Sequence, residues 1–581
     1  MPPKSLRSRA KKSSPSPANR STAAIFQNVG PDGEIPKELE KEAPPSQDTE
    51  ADLEEDDVKN ALFPFKYIYM LQDFLNDNLE FTMFVQLLAF GYIGQILYHS
   101  RDTLDKFMEN LPTIGFNMAG VFIGIAASYA RTQEGVKRKL PEFNYIYSVV
   151  LPILVGILHP SDYFLVNLSL NYFIIDKLYP AYRLICSVVF FEMYNESKFI
   201  TTLDFLRIAV MHFLITWVLN YINEGKLKNS VTNEEDTLVK DSDYNKSLSK
   251  AEIQLIAIIL TNALQNIELV GDFLPLVIFQ KLFVALVCAS LFCYPLILRV
   301  PSYFTLVVFS GVFYVLTNFQ LKPFLGDNAV VWLYQYIKED EAKLTLIQVW
   351  IGALLVTIPV VFYFVESMSL NLRRKLWHFL ILIILLLDHR ILIDEVEFAL
   401  ISLLGFIILF LVVEIIRYNQ LTPIGEYLFS SLIKFQDFKD LKGPLNLSYI
   451  YLLVGITIPI LYDATSGSVT LVRYMGIIAL GMGDSMASIV GKKYGSVKWR
   501  GGHKSVQGSF TFFSVNLLAF YVVDTYLTAN NSSYTPVASW ENLFVANLIA
   551  AILEGSSDLN DNFFIPIILP ISYELLRKCY V

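Results

Sequence analysis

From about residue 62 to the C-terminus, apolar runs alternate with short polar breaks. Clear runs are Phe81–Tyr98, Ile114–Tyr129, Tyr145–Leu158, Phe205–Tyr221, Ile253–Leu269, Leu274–Leu298, Thr305–Leu321 and Leu344–Val365. They continue with Leu376–Leu387, Val396–Ile416, Leu447–Leu461, Val472–Val490, Phe510–Tyr526, Leu543–Leu553 and Phe563–Leu575. A helix needs about 20 apolar residues to cross a bilayer. Backbone groups in lipid must be bonded within their own segment, and no alternating barrel pattern is present, so the runs predict helices. With the shorter pieces counted as tilted, broken or half-buried, the pattern predicts an all-α, polytopic integral membrane bundle of roughly 14–16 transmembrane helices.

The polar stretches divide this pattern. Residues 1–20 are basic and rich in Ser and Pro, and residues 21–60 are acidic and poor in aromatics. Such a segment buries too little apolar surface to offset its ordering entropy, which predicts a disordered cytosolic tail over 1–60. No apolar core follows the basic start at signal-peptide spacing. An N-terminal transmembrane region is expected over 61–343, interrupted by a charged loop at 224–252, and a C-terminal transmembrane domain over 344–581. The spans before about residue 340 hold few polar groups and read as scaffold. The chemistry is expected after that point, because ionisable groups at membrane depth are costly.

Composition agrees. Of 581 residues, 54% are hydrophobic and 17% charged, against about 25% charged in average soluble domains. A soluble globular enzyme, a disordered protein and a nucleic-acid binder are excluded. The net charge of −9 gives no footing for nucleic acid. The four cysteines form no CxxC pair and read as small hydrophobes, and the six histidines show no HExxH spacing. Basic clusters at 131–139, 373–375 and 492–504 place those ends in the cytosol by the positive-inside rule.

The most informative stretch is GMGDSMASIVGKKYGSVKWRGGHKSVQGSF, 481–510. Asp484 sits in an apolar helix with no basic neighbour at i+3 or i+4. An unpaired carboxylate there is expensive, and a divalent cation offsets it; Mg²⁺ commonly uses one or two carboxylates plus phosphate oxygens. Gly491, Gly495 and Gly508 permit close backbone approach to a ligand. Lys492, Lys493, Lys498 and Lys504 supply positive charge, and Ser505 opens the next helix, a natural anion site. A Walker A motif is absent. A second cluster, RRKLWH at 373–378, puts Arg374, Lys375 and His378 on one helix face, suited to phosphate or to general-base work, although an RRK run also serves as a membrane-edge anchor. A third, EGSSDLNDN at 554–562, offers Glu554 and Asp561 to complete a metal site with Asp484; a plain polar turn is the competing reading from spacing. Glu414 and Arg417, three residues apart, suit a helix-face pair.

Together these motifs resemble the CTP-dependent polyprenol kinase family. RRKLWH, EIIR at 414–417, GDSMASIVGKKYG at 483–495, KWRGGHKSVQGS at 498–509 and EGSSDLNDNFFIP at 554–566 fall in the family's order, over roughly 370–581. The chain departs from the family's usual K-[ST]-x-E-G by carrying Gln507. The resemblance implies transfer of the γ-phosphoryl of CTP to the terminal hydroxyl of dolichol at the endoplasmic reticulum, with the site facing the cytosol. It implies Mg²⁺ or another divalent cation on Asp484, Glu554 and Asp561. It implies nucleotide contacts from Gly483, Ser485, Gly491, Lys492, Lys493, Gly495, Lys498, Ser505, Gly508, Arg374 and Lys375. Asp484, His378 and Lys504 are then the catalytic residues, with His378 or a carboxylate taking the proton of the dolichol hydroxyl. Three other readings remain open here: a diacylglycerol or phytol kinase, a CDP-lipid cytidylyltransferase, and a transporter or membrane scaffold.

Overall fold

A computed structural model describes residues 81–99, 105–130, 144–158, 161–224, 246–266, 271, 273–297, 299–365, 367–386, 390–436, 443–499 and 504–579. The expected tail, most of the 224–252 loop, the basic cluster at 131–139 and residues 500–503 lie outside the described residues. Among those described, nine helices are long and apolar enough to cross a membrane, including Leu274–Ile297, Ser302–Leu325 and Glu341–Phe364. Other apolar runs form shorter helices: Tyr145–Leu158 has 14 residues and Trp540–Ser556 has 17. Pattern reading missed Pro180–Tyr194, whose tyrosines and arginine break the apolar run. No strand is present among the described residues; a single isolated bridge pairs Lys498 with Ser505.

The helices that build the site are α1 (Phe81–His99), α2 (Tyr145–Leu158), α3 (Lys250–Gln265), α4 (Leu370–Leu386), α5 (Val396–Tyr418) and α6 (Ser448–Thr465). They continue with α7 (Val472–Ile478), α8 (Ser485–Tyr494), α9 (Val506–Asn530), α10 (Trp540–Ser556) and α11 (Asp561–Cys579). Between α7 and α8 the chain makes a π-helical turn, Ala479–Asp484. Such turns are rare and concentrate at functional sites.

One hydrophobic cluster runs through both halves of the chain, from Ile93 and Tyr147 through Leu255, Leu400 and Ile478 to Phe512 and Ile568. α1 packs on α10 and α11, and α2 packs on α11. The expectation of a polar-poor first half is corrected: Gln86, Asn117, Asn171, His212, Glu252 and Gln254 are all buried there. They bond across helices, as polar side chains do where lipid offers no partner; Asn171 Nδ2, for example, donates to Asn117 Oδ1 at 3.2 Å.

The Glu414–Arg417 pair ties α5 to the segment that leads into α6. Both are buried, Arg417 Nη2 lies 2.6 Å from Glu414 Oε1 and 2.9 Å from the Pro444 carbonyl. Glu414 also accepts from the Asn446 amide and the Tyr449 hydroxyl, both at 2.8 Å. Removing one member of a buried pair strands the other charge, at a cost of about 3–5 kcal/mol. Arg417→Leu is therefore expected to lower the unfolding temperature sharply, with turnover per folded molecule preserved. A normal melt with lost turnover would instead make the pair functional.

Candidate active site

The π turn at the N-terminus of α8, the loop leading into α9, the C-terminus of α10 and the N-terminal parts of α4 and α11 meet around Asp484. Asp484 closes the π turn and is buried. The cation missing from its own helix comes from α4, whose buried Lys375 forms an ion pair with it. His378, one turn further along α4, is also buried; its Nδ1 lies 3.6 Å from Asp484 Oδ2 and 3.1 Å from the Leu480 carbonyl. A carbonyl can only accept, so that contact places the proton on Nδ1 and leaves the lone pair on Nε2.

Lys504 enters from the loop before α9. Its Nζ donates to Glu554 Oε1 at 2.8 Å, to the Glu554 carbonyl at 2.7 Å, and pairs with Asp561 Oδ2 at 2.7 Å. Burial pulls its ammonium pKa down, but the Asp561 and Glu554 carboxylates outweigh burial and hold it above the usual lysine value. Asp484, Glu554 and Asp561 thus lie on three different elements, with one carboxylate oxygen from each within 4.8 Å of the others. Three carboxylates are hard oxygen donors of the kind that Mg²⁺ or a similar divalent cation takes.

Ser509 and Trp499 steady the centre, and sequence reading had assigned neither a part. Trp499 Nε1 donates to Ser509 Oγ at 3.0 Å, and Ser509 Oγ lies 3.3 Å from Glu554 Oε2. The one available signal was Ser509's position, one helical turn after Ser505.

Other expected residues fall around this centre in different roles. Arg374 is half-buried beside Lys375 on α4. Ser485 is fully buried, its hydroxyl 3.5 Å from the Leu480 carbonyl. Gly483 admits Asn516 of α9, since a Cβ there would lie 2.2 Å from Asn516 Oδ1. Ser505 caps α9 by accepting from the Gly508 amide at 3.1 Å. Gly491, Gly495 and Gly508 close around that Ser505 side chain, so α8 and α9 approach tightly there. Gln507 ties down the loop, accepting from the Val497 amide at 3.2 Å and donating to Ser496 Oγ at 2.7 Å. A Cβ on Gly495 would lie 2.1 Å from the Gly491 carbonyl oxygen. Gly495→Ala is thus expected to destabilise by about 1–3 kcal/mol, read as a lower unfolding temperature.

Lys492, Lys493 and Lys498 are exposed and stand outside the buried centre. Lys492 lies eight residues beyond Asp484 in sequence, roughly 12 Å along a helix at 1.5 Å per residue.

The fold and this centre define a polytopic helical membrane protein with a buried carboxylate–lysine–histidine cluster at one end of its bundle. The sequence model of the dolichol kinase N-terminal domain matches residues 35–240. A dolichol kinase of Saccharomyces cerevisiae is 30% identical over 459 residues, which cover 76% of this chain and 79% of that protein. A Schizosaccharomyces pombe dolichol kinase is 36% identical over 268 residues, 43% of this chain and 51% of that protein. An Arabidopsis thaliana dolichol kinase is 28% identical over 278 residues, 47% of each. The matches to the latter two thus span about half of each relative. The chain belongs to the dolichol kinase family. No solved structure matches it.

Proposed function

We propose that this chain transfers the γ-phosphoryl group of CTP to the terminal hydroxyl of dolichol, at the cytosolic face of the endoplasmic reticulum membrane. The observation that carries the reading is the convergence of Asp484, Glu554 and Asp561 from three elements, interleaved with Lys375 and Lys504. Family membership and the motif resemblance supply the substrate pair.

Phosphoryl transfer asks a protein chiefly for positioning and charge neutralisation. Asp484, Glu554 and Asp561 would hold Mg²⁺, which when bound neutralises charge on the transferring phosphates. The exposed lysines Lys492, Lys493 and Lys498 attract the anionic nucleotide toward the buried centre. Lys504 holds Glu554 and Asp561 in register and presents a permanent cation to the phosphates. His378 Nε2 takes the proton as the dolichol oxygen bonds to the γ-phosphorus and the bond to the β–γ bridging oxygen breaks, releasing CDP. A polyprenyl chain stays in lipid, so its hydroxyl must meet the nucleotide where lipid and water adjoin; the position of Glu554 and Asp561 at the ends of α10 and α11 supports that reading.

A substrate-swap assay on the purified protein tests the reading. Dolichol with CTP is expected to give the highest kcat/KM among combinations of dolichol, diacylglycerol or phytol with CTP or ATP. Preference for diacylglycerol or phytol would reassign the acceptor, and preference for ATP would reassign the donor.

A further inference from the structure

The loop between Glu554 and Asp561 has two backbone groups that no helix satisfies. The Ser556 carbonyl ends α10, and the Asn560 amide precedes α11. Both find partners in the first half of the chain. Gln86 on α1 is buried and donates through Nε2 to the Ser556 carbonyl at 2.6 Å. Its Oε1 accepts from the buried Tyr147 hydroxyl of α2 at 2.5 Å, which fixes the orientation of the amide. Glu252, in the first turn of α3, is also buried. One oxygen accepts from the Ser249 amide at 2.9 Å, completing a capping box, and the other accepts from the Asn560 amide at 3.0 Å. Asn560 in turn caps α11 by accepting from the Asn562 amide at 3.1 Å, one residue from Asp561.

We propose that Gln86 and Glu252 are positioning residues that pin both ends of this loop and so set where Glu554 and Asp561 stand. The N-terminal half is then a working part of the active site without touching substrate. The proposal rests on the reading that the Glu554–Lys504–Asp561 cluster performs the transfer. Misplacing reacting groups by small distances costs rate while leaving substrate binding largely intact. A helix N-cap and a buried amide donor are also features whose loss shows first as local opening.

The test uses the full chain, purified in detergent or nanodiscs, with the near-isosteric variants Gln86→Met and Glu252→Gln. Ser148→Ala serves as control: Ser148 Oγ donates to the Ala251 carbonyl at 3.2 Å, joining α2 to α3 without contacting the loop. Two readouts are taken: steady-state kinetics, and hydrogen exchange of residues 556–562 without nucleotide or metal. Each loop variant is expected to exchange those amides at least tenfold faster and to lose at least tenfold in kcat, with the KM for dolichol within threefold of wild type. Ser148→Ala should match wild type in both. Wild-type exchange and kcat in the loop variants would overturn the proposal, as would equal losses in Ser148→Ala. Should Gln86→Met not fold, Glu252→Gln decides alone, because Gln is itself accepted at that capping-box position. Glu554→Gln, run alongside, separates the two levels. If it is inactive while the loop variants behave as wild type, the positioning role falls alone. If it retains full activity, the reading of the cluster falls and the positioning role falls with it.

Discussion

Asp484→Asn is expected to reduce dolichol phosphorylation by at least about 10²–10³-fold in kcat, the scale seen when one preorganised electrostatic group is removed from a site. Its carboxylate is the member of the acidic triad that lies within a helical stretch long and apolar enough to cross a membrane, Val472–Tyr494. The same change leaves buried Lys375 without its anion, so stability should fall too, by about 3–5 kcal/mol. These two effects separate in the double variant Asp484→Asn/Lys375→Met, which removes both charges. Its unfolding temperature is expected to return toward wild type while activity stays lost. Recovery of activity along with stability would mean that Asp484 acts only as a structural counter-ion, and full activity in Asp484→Asn would remove it from the site altogether.

The second large effect is expected at Lys504. Its ammonium meets the Glu554 carbonyl, the Glu554 carboxylate and Asp561 at once. Lys504→Met leaves two neighbouring carboxylates facing each other without the intervening cation. One of them should then take up a proton or move apart, since like charges in one site cannot both stay ionised cheaply. A fall of about 10²-fold or more in kcat is expected on the same electrostatic scale. Lys504→Arg keeps the charge but not the compact three-way donor geometry, and should recover part of the loss. Kinetics of the three proteins at matched folded concentration decide it; equal rates in wild type and Lys504→Met would contradict the assignment.

How much of this was readable from residues alone follows from where the physics is local. Apolar runs marked the helices because lipid demands continuous hydrophobic length, and most runs lie on helices. The number that qualify as spans was less readable: α2 and α10 are apolar but short, and burial against neighbours substitutes for length. The centre's members were legible because Asp484, Lys504, Glu554 and Asp561 are conspicuous in apolar surroundings. Their pairing was not. Lys375 and Asp484 are separated by 109 positions, and nothing in either segment signals the other. The glycines near 491–508 were legible as close-approach positions, but the approach is of α8 to α9 around Ser505, an outcome that depends on the backbone pairing of Val506 with Val497 and of Trp499 with Lys504. Gln86 and Glu252 were invisible because single polar residues in apolar helices carry no motif; their meaning comes from partners more than 300 positions away.

The central claim is that the C-terminal cluster moves the terminal phosphoryl group of CTP onto a membrane-held alcohol. The direct measurement incubates the purified protein with dolichol and CTP labelled at either the α- or the γ-phosphate, then examines the extracted lipid. Label in the lipid from γ-labelled CTP alone, lost in Asp484→Asn, is the predicted result. Label from α-labelled CTP would instead mean a CDP-lipid product and would contradict the account.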